Sequence, residues 1–183
     1  MTRVLIVATD GFEQSELFKP QDNLREAGME TVIASLEDGD IQGWNEKEWG
    51  DTAPVDITVE EVSAGDYDAL LLPGGQMNPD ILRMNDTVIE LIRDFNRQMK
   101  PIAAICHAPW LLAEADIIGG KTVTSWPSIR TDLENAGAKV VDQEVVEDGN
   151  LITSRNPDDI PAFSQALIAR LGVTVSEVQL EPA

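Results

Sequence analysis

Two side chains suited to nucleophilic and acid–base chemistry occur once each in this chain, and they are neighbours: Cys106 is the only cysteine and His107 the only histidine. They follow the uncharged run Pro101-Ile102-Ala103-Ala104-Ile105, which reads as a short buried strand. They precede Ala108-Pro109-Trp110-Leu111-Leu112-Ala113, which reads as a helix with proline in its first turn. Cys106 is therefore expected on a sharp strand-to-helix bend. Unpaired N–H groups and the positive end of the helix dipole favour a thiolate there, and a cationic imidazole would act the same way. The expectation is a thiol largely ionised near neutral pH. Adjacent side chains do not face one another in a regular helix or strand, so His107 reaches the sulfur only if the bend turns it back. A lone cysteine is also a common small filler of apolar cores. The strand-bend-helix setting and the adjoining histidine set Cys106 apart as a candidate nucleophile.

Three further segments carry groups that such a nucleophile would use. Gly74-Gly75 follow the buried run Ala69-Leu70-Leu71-Leu72-Pro73 and by themselves signal only a turn. Beside Cys106, however, the N–H groups of Gly75 and His107 could hold the oxyanion formed when a thiolate attacks a carbonyl, each worth about 3 kcal/mol in the transition state. Gly11-Phe12-Glu13-Gln14-Ser15-Glu16-Leu17 leaves the first strand and opens a helix, where carboxylates ordinarily serve the helix N-terminus. That explanation suffices for Glu13, whose alternative is a place in the wall of the site. Glu16 is expected to point to the rim, where a carboxyl near a thiolate has a raised pKa and donates a hydrogen bond to sulfur. Trp126, between Ser125 and Pro127, either walls the pocket or is ordinary packing. One cysteine and one histidine cannot supply a four-ligand zinc set, and the acidic residues lack calcium-loop spacing. No metal site and no cofactor are expected.

The elements that must position these groups alternate between strand and helix. Apolar runs at Val4–Ala8, Thr31–Ser35, Ala69–Leu72, Pro101–Ile105 and Leu151–Ser154 are separated by helical patterns near 15–27, 86–99, 109–115, 128–136 and 158–171. Strands apolar on both faces and alternating with helices argue for a parallel sheet covered on both sides. In such sheets ligands bind beyond the carboxyl ends of the strands. Thr9-Asp10-Gly11, Pro73-Gly74-Gly75 and Cys106-His107 each follow a strand directly and should converge there. The polar segment from Gly39 to Pro54, with Trp44 and Trp49, reads as an excursion from the sheet, and Val55, Ile57 and Val59 suggest a small extra hairpin or strand. Asp148-Gly149-Asn150 is a turn signal before the strand at Leu151.

Size and charge bound the rest. At 183 residues and 43% hydrophobic, the chain suits one domain over 1–172 with a polar C-terminal tail at 173–183. The net charge of −20, from 33 acidic and 13 basic residues, leaves no basic stripe to neutralise phosphates, so no nucleic-acid partner is expected. No apolar stretch approaches the roughly 20 residues that span a bilayer, and the N-terminus lacks a signal-peptide layout. A cytoplasmic protein without a membrane partner is expected, and a single cysteine fits a reducing compartment.

Ala103-Ala104-Ile105-Cys106-His107-Ala108-Pro109 and Leu72-Pro73-Gly74-Gly75, with Phe12-Glu13-Gln14-Ser15-Glu16-Leu17 and Thr124-Ser125-Trp126-Pro127, agree in order and spacing with one family. The chain from Thr2 to about Gly172 resembles the PfpI superfamily of intracellular protease-like proteins and protein deglycases, with its class I glutamine amidotransferase-like fold. Trp44 to Gly50 and Ile152-Thr153-Ser154-Arg155-Asn156-Pro157 resemble its general stress protein branch. The resemblance implies a flavodoxin-like three-layer α/β sandwich with a mostly parallel sheet and a nucleophile elbow at Cys106. It also implies a homodimer or larger homo-oligomer with sites at or near the interface. Cys106 would be the nucleophile, Glu16 the glutamate hydrogen-bonded to it, His107 the histidine beside it and Gly75 an oxyanion donor. In protease-like members a glutamate shortly after the double glycine reaches the histidine of a neighbouring subunit. Here that stretch is Gln76-Met77-Asn78-Pro79-Asp80, so the counterpart is Asp80, one methylene shorter. The implied function is a stress-protective cysteine hydrolase of small reactive carbonyls or of glyoxal and methylglyoxal adducts of proteins, releasing lactate or glycolate. An intracellular cysteine peptidase is one alternative, and a non-catalytic redox-sensing or chaperone-like stress protein is another.

Overall fold

A computed structural model describes residues 1–172; the expected tail at 173–183 lies outside the described residues. The strands, in chain order, are β1 (Arg3–Val7), β2 (Phe12–Glu13), β3 (Glu30–Ser35), β4 (Asp40–Asn45), β5 (Glu48–Pro54), β6 (Ile57–Thr58), β7 (Ala69–Leu72), β8 (Ile102–Ile105), β9 (Thr122–Val123), β10 (Lys139–Val140), β11 (Val145–Asp148) and β12 (Leu151–Ser154). The helices are α1 (Gln14–Glu26), α2 (Met77–Leu82), α3 (Asp86–Arg97), α4 (Pro109–Glu114), α5 (Arg130–Asn135) and α6 (Ile160–Arg170).

Seven strands form the central sheet in the order β11-β12-β8-β7-β1-β3-β6. All neighbours are parallel except β11 and β12, the hairpin closed by the Asp148-Gly149-Asn150 turn. The period-two geometry of a strand explains the continuous apolar runs. Leu5, Val7, Leu70, Leu72 and Ala104 point to one face, where they pack with Val88, Ile92 and Phe95 of α3 and Leu111 and Leu112 of α4. Val4, Ile6, Leu71, Ala103 and Ile105 point to the other, against Leu17 and Leu24 of α1 and Phe163 and Leu167 of α6. Each fully buried leucine, isoleucine or valine contributes about 1.5–3 kcal/mol, so a strand with two covered faces stabilises the sheet twice over. The three-layer flavodoxin-like sandwich is the arrangement that satisfies both faces.

Helix α3 shows why these segments are helical. Val88, Ile89, Leu91, Ile92 and Phe95 form one buried stripe, and the Asn85 side chain caps the start by accepting the Val88 N–H at 3.0 Å. Helix α2 has no such stripe and is not legible from the pattern, because the glycine loop and Pro79 read as a turn. Proline is tolerated there because the first turn of a helix makes no use of its missing N–H.

The excursion at Gly39–Pro54 is the β4–β5 hairpin, to which β2 adds a third strand. Trp44 and Trp49 pair across the hairpin with their rings edge-on at 5.4 Å. Polar bonds fasten it to the loop that leads into α1. The Gln14 side chain accepts the Asp51 N–H at 2.7 Å, the Gln42 N–H donates to the Asp10 carboxylate at 2.7 Å, and the Gly11 N–H donates to the Gln42 carbonyl at 2.8 Å. Strand β6, from the alternating residues after the excursion, extends the main sheet beside β3.

Between β7 and α2 the chain must pass very close to the loop after β1. Gly75 has φ +82°, and a Cβ there would lie 2.5 Å from the Gly11 carbonyl oxygen and 2.6 Å from the Glu13 nitrogen. Both obstacles are backbone and cannot swing aside. Gly75→Ala is expected to cost about 2 kcal/mol or more, from the left-handed conformation and the overlap together. Calorimetry should show a thermal midpoint lower by roughly 4–8 °C for a chain of this size.

Candidate active site

Strand β8 delivers Cys106 to the carboxyl rim of the sheet, and the chain reverses there before α4. Cys106 has φ 64°, a left-handed conformation that costs a residue with a side chain about 1–2 kcal/mol. Backbone bonds hold it: its N–H donates to the Ser154 carbonyl of β12 at 3.0 Å, and its carbonyl accepts the Trp126 N–H at 2.9 Å. The bend turns the imidazole back as the chemistry requires, with Sγ of Cys106 3.2 Å from Nδ1 of His107. Gly74 packs directly against Cys106 and Glu16. A Cβ at that position would meet Oε2 of Glu16 at 2.5 Å and Cβ of Cys106 at 2.7 Å, so only a bare backbone fits.

Glu16 enters from the first turn of α1. Glu13 caps that helix, its carboxylate accepting the Glu16 N–H at 2.8 Å, which accounts for Glu13 as an ordinary capping residue. Glu16 itself has no exposed surface. Its Oε2 accepts the Gly74 N–H at 3.0 Å, while Oε1 has no hydrogen-bond partner among the described residues. Burial, and next the Glu13 charge, raise the Glu16 pKa to about 8; the Cys106 thiol and the N–H groups of Gly74 and Gly75 oppose the shift. Glu16 is therefore mostly protonated at neutral pH.

The expected freely ionised thiolate is not what these surroundings favour. Burial, and then the Glu16 carboxylate, push the Cys106 thiol up, against the N–H groups of Gly75 and His107, which pull it down. Cys106 is 6% exposed, and the loss of water outweighs a helix of only six residues. Carboxyl and thiol thus form a coupled pair that holds one negative charge at a time. When Glu16 keeps the proton, it ceases to repel the thiolate and becomes a donor towards it.

His107 is 8% exposed, and burial lowers its pKa, so the ring is neutral at pH 7 and supplies no resting positive charge. Trp126 stacks on it at 5.9 Å with the planes 23° apart, and Trp110 meets it edge-on at 5.3 Å. Nε2 lies 3.4 Å from the Ser128 hydroxyl. With its proton on Nε2 the ring donates to Ser128 and leaves Nδ1 to accept the thiol proton; with the proton on Nδ1 it donates to the thiolate. Trp126, 38% exposed, stands at the rim over this ring. Asp80 is exposed on α2 and makes no hydrogen bond to His107 within the described residues. Ser128 and Trp110 escaped the sequence reading. Ser128 lies just past the Trp126 motif without a signal of its own, and Trp110 reads only as part of the helix expected after Cys106.

A raised carboxyl pKa has a definite effect on stability. Folded Glu16 keeps a proton that the unfolded chain releases near pH 4.5, so its contribution is fully present below that value and is lost as pH rises towards about 8. Urea unfolding of wild type and Glu16→Gln should diverge with rising pH. Wild type should lose up to about 1.4 kcal/mol per pH unit relative to the variant between pH 5 and 8. Parallel curves would mean that Glu16 ionises at an ordinary pH.

The model of the DJ-1/PfpI family matches residues 2–170. General stress protein 18 of Bacillus subtilis is 42% identical over 171 residues, covering 92% of this chain and 97% of that one. Protein/nucleic acid deglycase 2 of Escherichia coli is 41% identical over 172 residues, covering 93% and 98%. Among solved structures, Drosophila melanogaster DJ-1beta superposes with a TM-score of 0.85 at 32% identity, covering 94% of this chain and 91% of that one. The name of the Escherichia coli relative runs against the expectation that nucleic acid plays no part. A family match over nearly the whole chain, with relatives above 40% identity and a matching fold, places the chain in the DJ-1/PfpI family.

Proposed function

We propose that the protein is a stress-protective, cysteine-dependent hydrolase of small reactive carbonyls and of the early glyoxal or methylglyoxal adducts of protein side chains. The observation that supports it most is the placement of the His107 imidazole 3.2 Å from the Cys106 sulfur, beside a fully buried Glu16 carboxyl held by the Gly74 N–H. In this reading the Cys106 sulfur adds to the aldehyde carbon, and its proton passes to the neutral His107 ring, with protonated Glu16 donating towards the sulfur. The N–H groups of Gly75 and His107 receive the charge that develops on oxygen. A proton then moves from the former aldehyde carbon to the adjacent carbonyl carbon, leaving a thioester that water cleaves. Methylglyoxal plus water equals lactate, and glyoxal plus water equals glycolate, so no external oxidant or reductant is needed. A cysteine only 6% exposed admits a small carbonyl more readily than a folded polypeptide.

The relatives' names, a deglycase and a general stress protein, support the same reading. The charge of −20 argues against docking on a phosphate backbone, yet a single glycated base reached by the site is a different matter, and the Escherichia coli relative's name makes it a substrate to assay. A cytoplasmic location belongs to the proposal, as does a homo-oligomer in which Asp80 of one copy meets His107 of the next. Among the described residues, no helix is long and apolar enough to cross a membrane. Peptide cleavage is the weaker reading, since His107 would have to protonate an amine leaving group while the partner of its Nε2 among the described residues is the Ser128 hydroxyl.

Lactate formation from methylglyoxal, from methylglyoxal-treated N-acetylcysteine and from methylglyoxal-treated guanosine nucleotide tests the proposal in a buffer free of amines and thiols. Wild type should turn over many times, and Cys106→Ala should be slower by about 10³-fold or more. Equal product from both proteins would refute a cysteine mechanism.

A further inference from the structure

Asn78 lies in the first turn of α2, fully buried, and the proposed reaction assigns it no role. Its Nδ2 donates to the carbonyls of Pro73 at 2.9 Å and Gly74 at 3.1 Å, and its Oδ1 accepts the Thr9 N–H at 2.8 Å. Two carbonyls need donors and one amide needs an acceptor, so the side chain fits in one orientation only. The Gly74 carbonyl also accepts the Glu13 N–H at 3.2 Å. The oxygen of Gly74 and the N–H of Gly75 belong to the same planar trans peptide and point in opposite directions. Whatever holds that oxygen also aims that N–H.

We propose that Asn78 is a positioning residue for the oxyanion donor: by holding the Gly74 carbonyl it fixes the direction of the Gly75 N–H on the rim beside Cys106. The inference rests on the proposed function for its catalytic meaning, although the geometry stands without it. Close approach to Glu16 and Cys106 requires glycine at 74, and the left-handed φ favours it at 75. A Gly-Gly peptide, however, rotates more freely than any other and does not keep its own orientation. The sequence that makes room for the donor therefore leaves it to its neighbours to fix: the Glu13 N–H holds the Gly74 carbonyl from one side, and Asn78 adds a second bond from the adjoining helix while tying the loop to the end of β1 through Thr9.

The test compares wild type, Asn78→Ala and Leu82→Ala, the last removing a fully buried side chain from the same helix without touching the amide network. The first readout is the pH dependence of Cys106 alkylation by iodoacetamide, with Glu13, Glu16 and His107 present in all three proteins. Asn78→Ala should move the midpoint upward by about one pH unit, as expected when a thiolate loses a hydrogen bond. Leu82→Ala should leave it in place despite a comparable fall in thermal midpoint. With methylglyoxal, Asn78→Ala should lower kcat by roughly 10–100-fold and change KM by less than about twofold. An unchanged alkylation midpoint in Asn78→Ala, or an equal shift in Leu82→Ala, would overturn the assignment. If Asn78→Ala does not fold, the wild-type Gly75 amide proton serves instead. Its NMR shift should follow Cys106 ionisation, and an amide indifferent to it would overturn the assignment. Alkylation requires no turnover, so a protein inactive on every carbonyl would sink the proposed function and leave this inference to its own result.

Discussion

A carboxyl and a thiol buried side by side can hold one negative charge between them, and the rim of this protein is built around that constraint. Glu16 has no exposed surface and Cys106 has almost none, so two charges there would meet neither water nor a cation. The surroundings accommodate one. The Gly74 N–H serves the carboxyl, while the N–H groups of Gly75 and His107 favour charge on the sulfur. Each local oddity follows from bringing these groups together. Cys106 takes a left-handed conformation to stand clear of its strand, Gly74 gives up a side chain to pack against it, and Glu13 caps α1 so that Glu16 begins the helix at the right angle.

Distribution of the proton is consequently a property of the pair. Glu13 helps to hold Glu16 neutral, and a neutral Glu16 is the condition under which a thiolate becomes tolerable. The imidazole, kept uncharged between Trp126 and Trp110, can take or return a proton without adding a permanent charge to a dry site. Such an arrangement differs from a thiolate held ionised by a helix dipole. In the proposed reaction the sulfur would become nucleophilic only as its proton moves, which suits addition to a small electrophilic carbonyl whose own oxygen then takes up the charge.

The scaffold fixes these groups by unlike means. The sheet places β1, β7 and β8 next to one another, which brings their carboxyl ends together. The β4–β5 hairpin braces the loop into α1 from outside, through Gln14, Asp10 and Gly11. Asn78 binds the glycine loop to the end of β1 from the inside. Hydrophobic burial thus sets the position of the strand ends, and short polar links set the orientation of the peptides beyond them.

Much of this was legible in the residues. Strands β1, β3, β7, β8 and β12 announced themselves because burial on two faces demands uninterrupted apolar runs, and α3 because a single buried stripe demands the helical period. The two-residue strands β2, β9 and β10 are too short to leave a pattern, and α2 was hidden by its glycine approach and its proline. The adjacent cysteine and histidine identified the candidate nucleophile by their uniqueness, and strand-end placement gathered Gly75 and the loop of Glu16 to the same rim. Protonation was not legible, because it depends on how completely each group loses water and on which charges lie within reach. Ser128 and Asn78 were hidden for a related reason, since their partners are ring and backbone atoms supplied by other segments. Residue types and their periods therefore determined the architecture and the candidate nucleophile, through local geometry and burial. Tertiary structure alone decided the charge state and the aim of the donors, because both depend on atoms that meet only when the chain has folded.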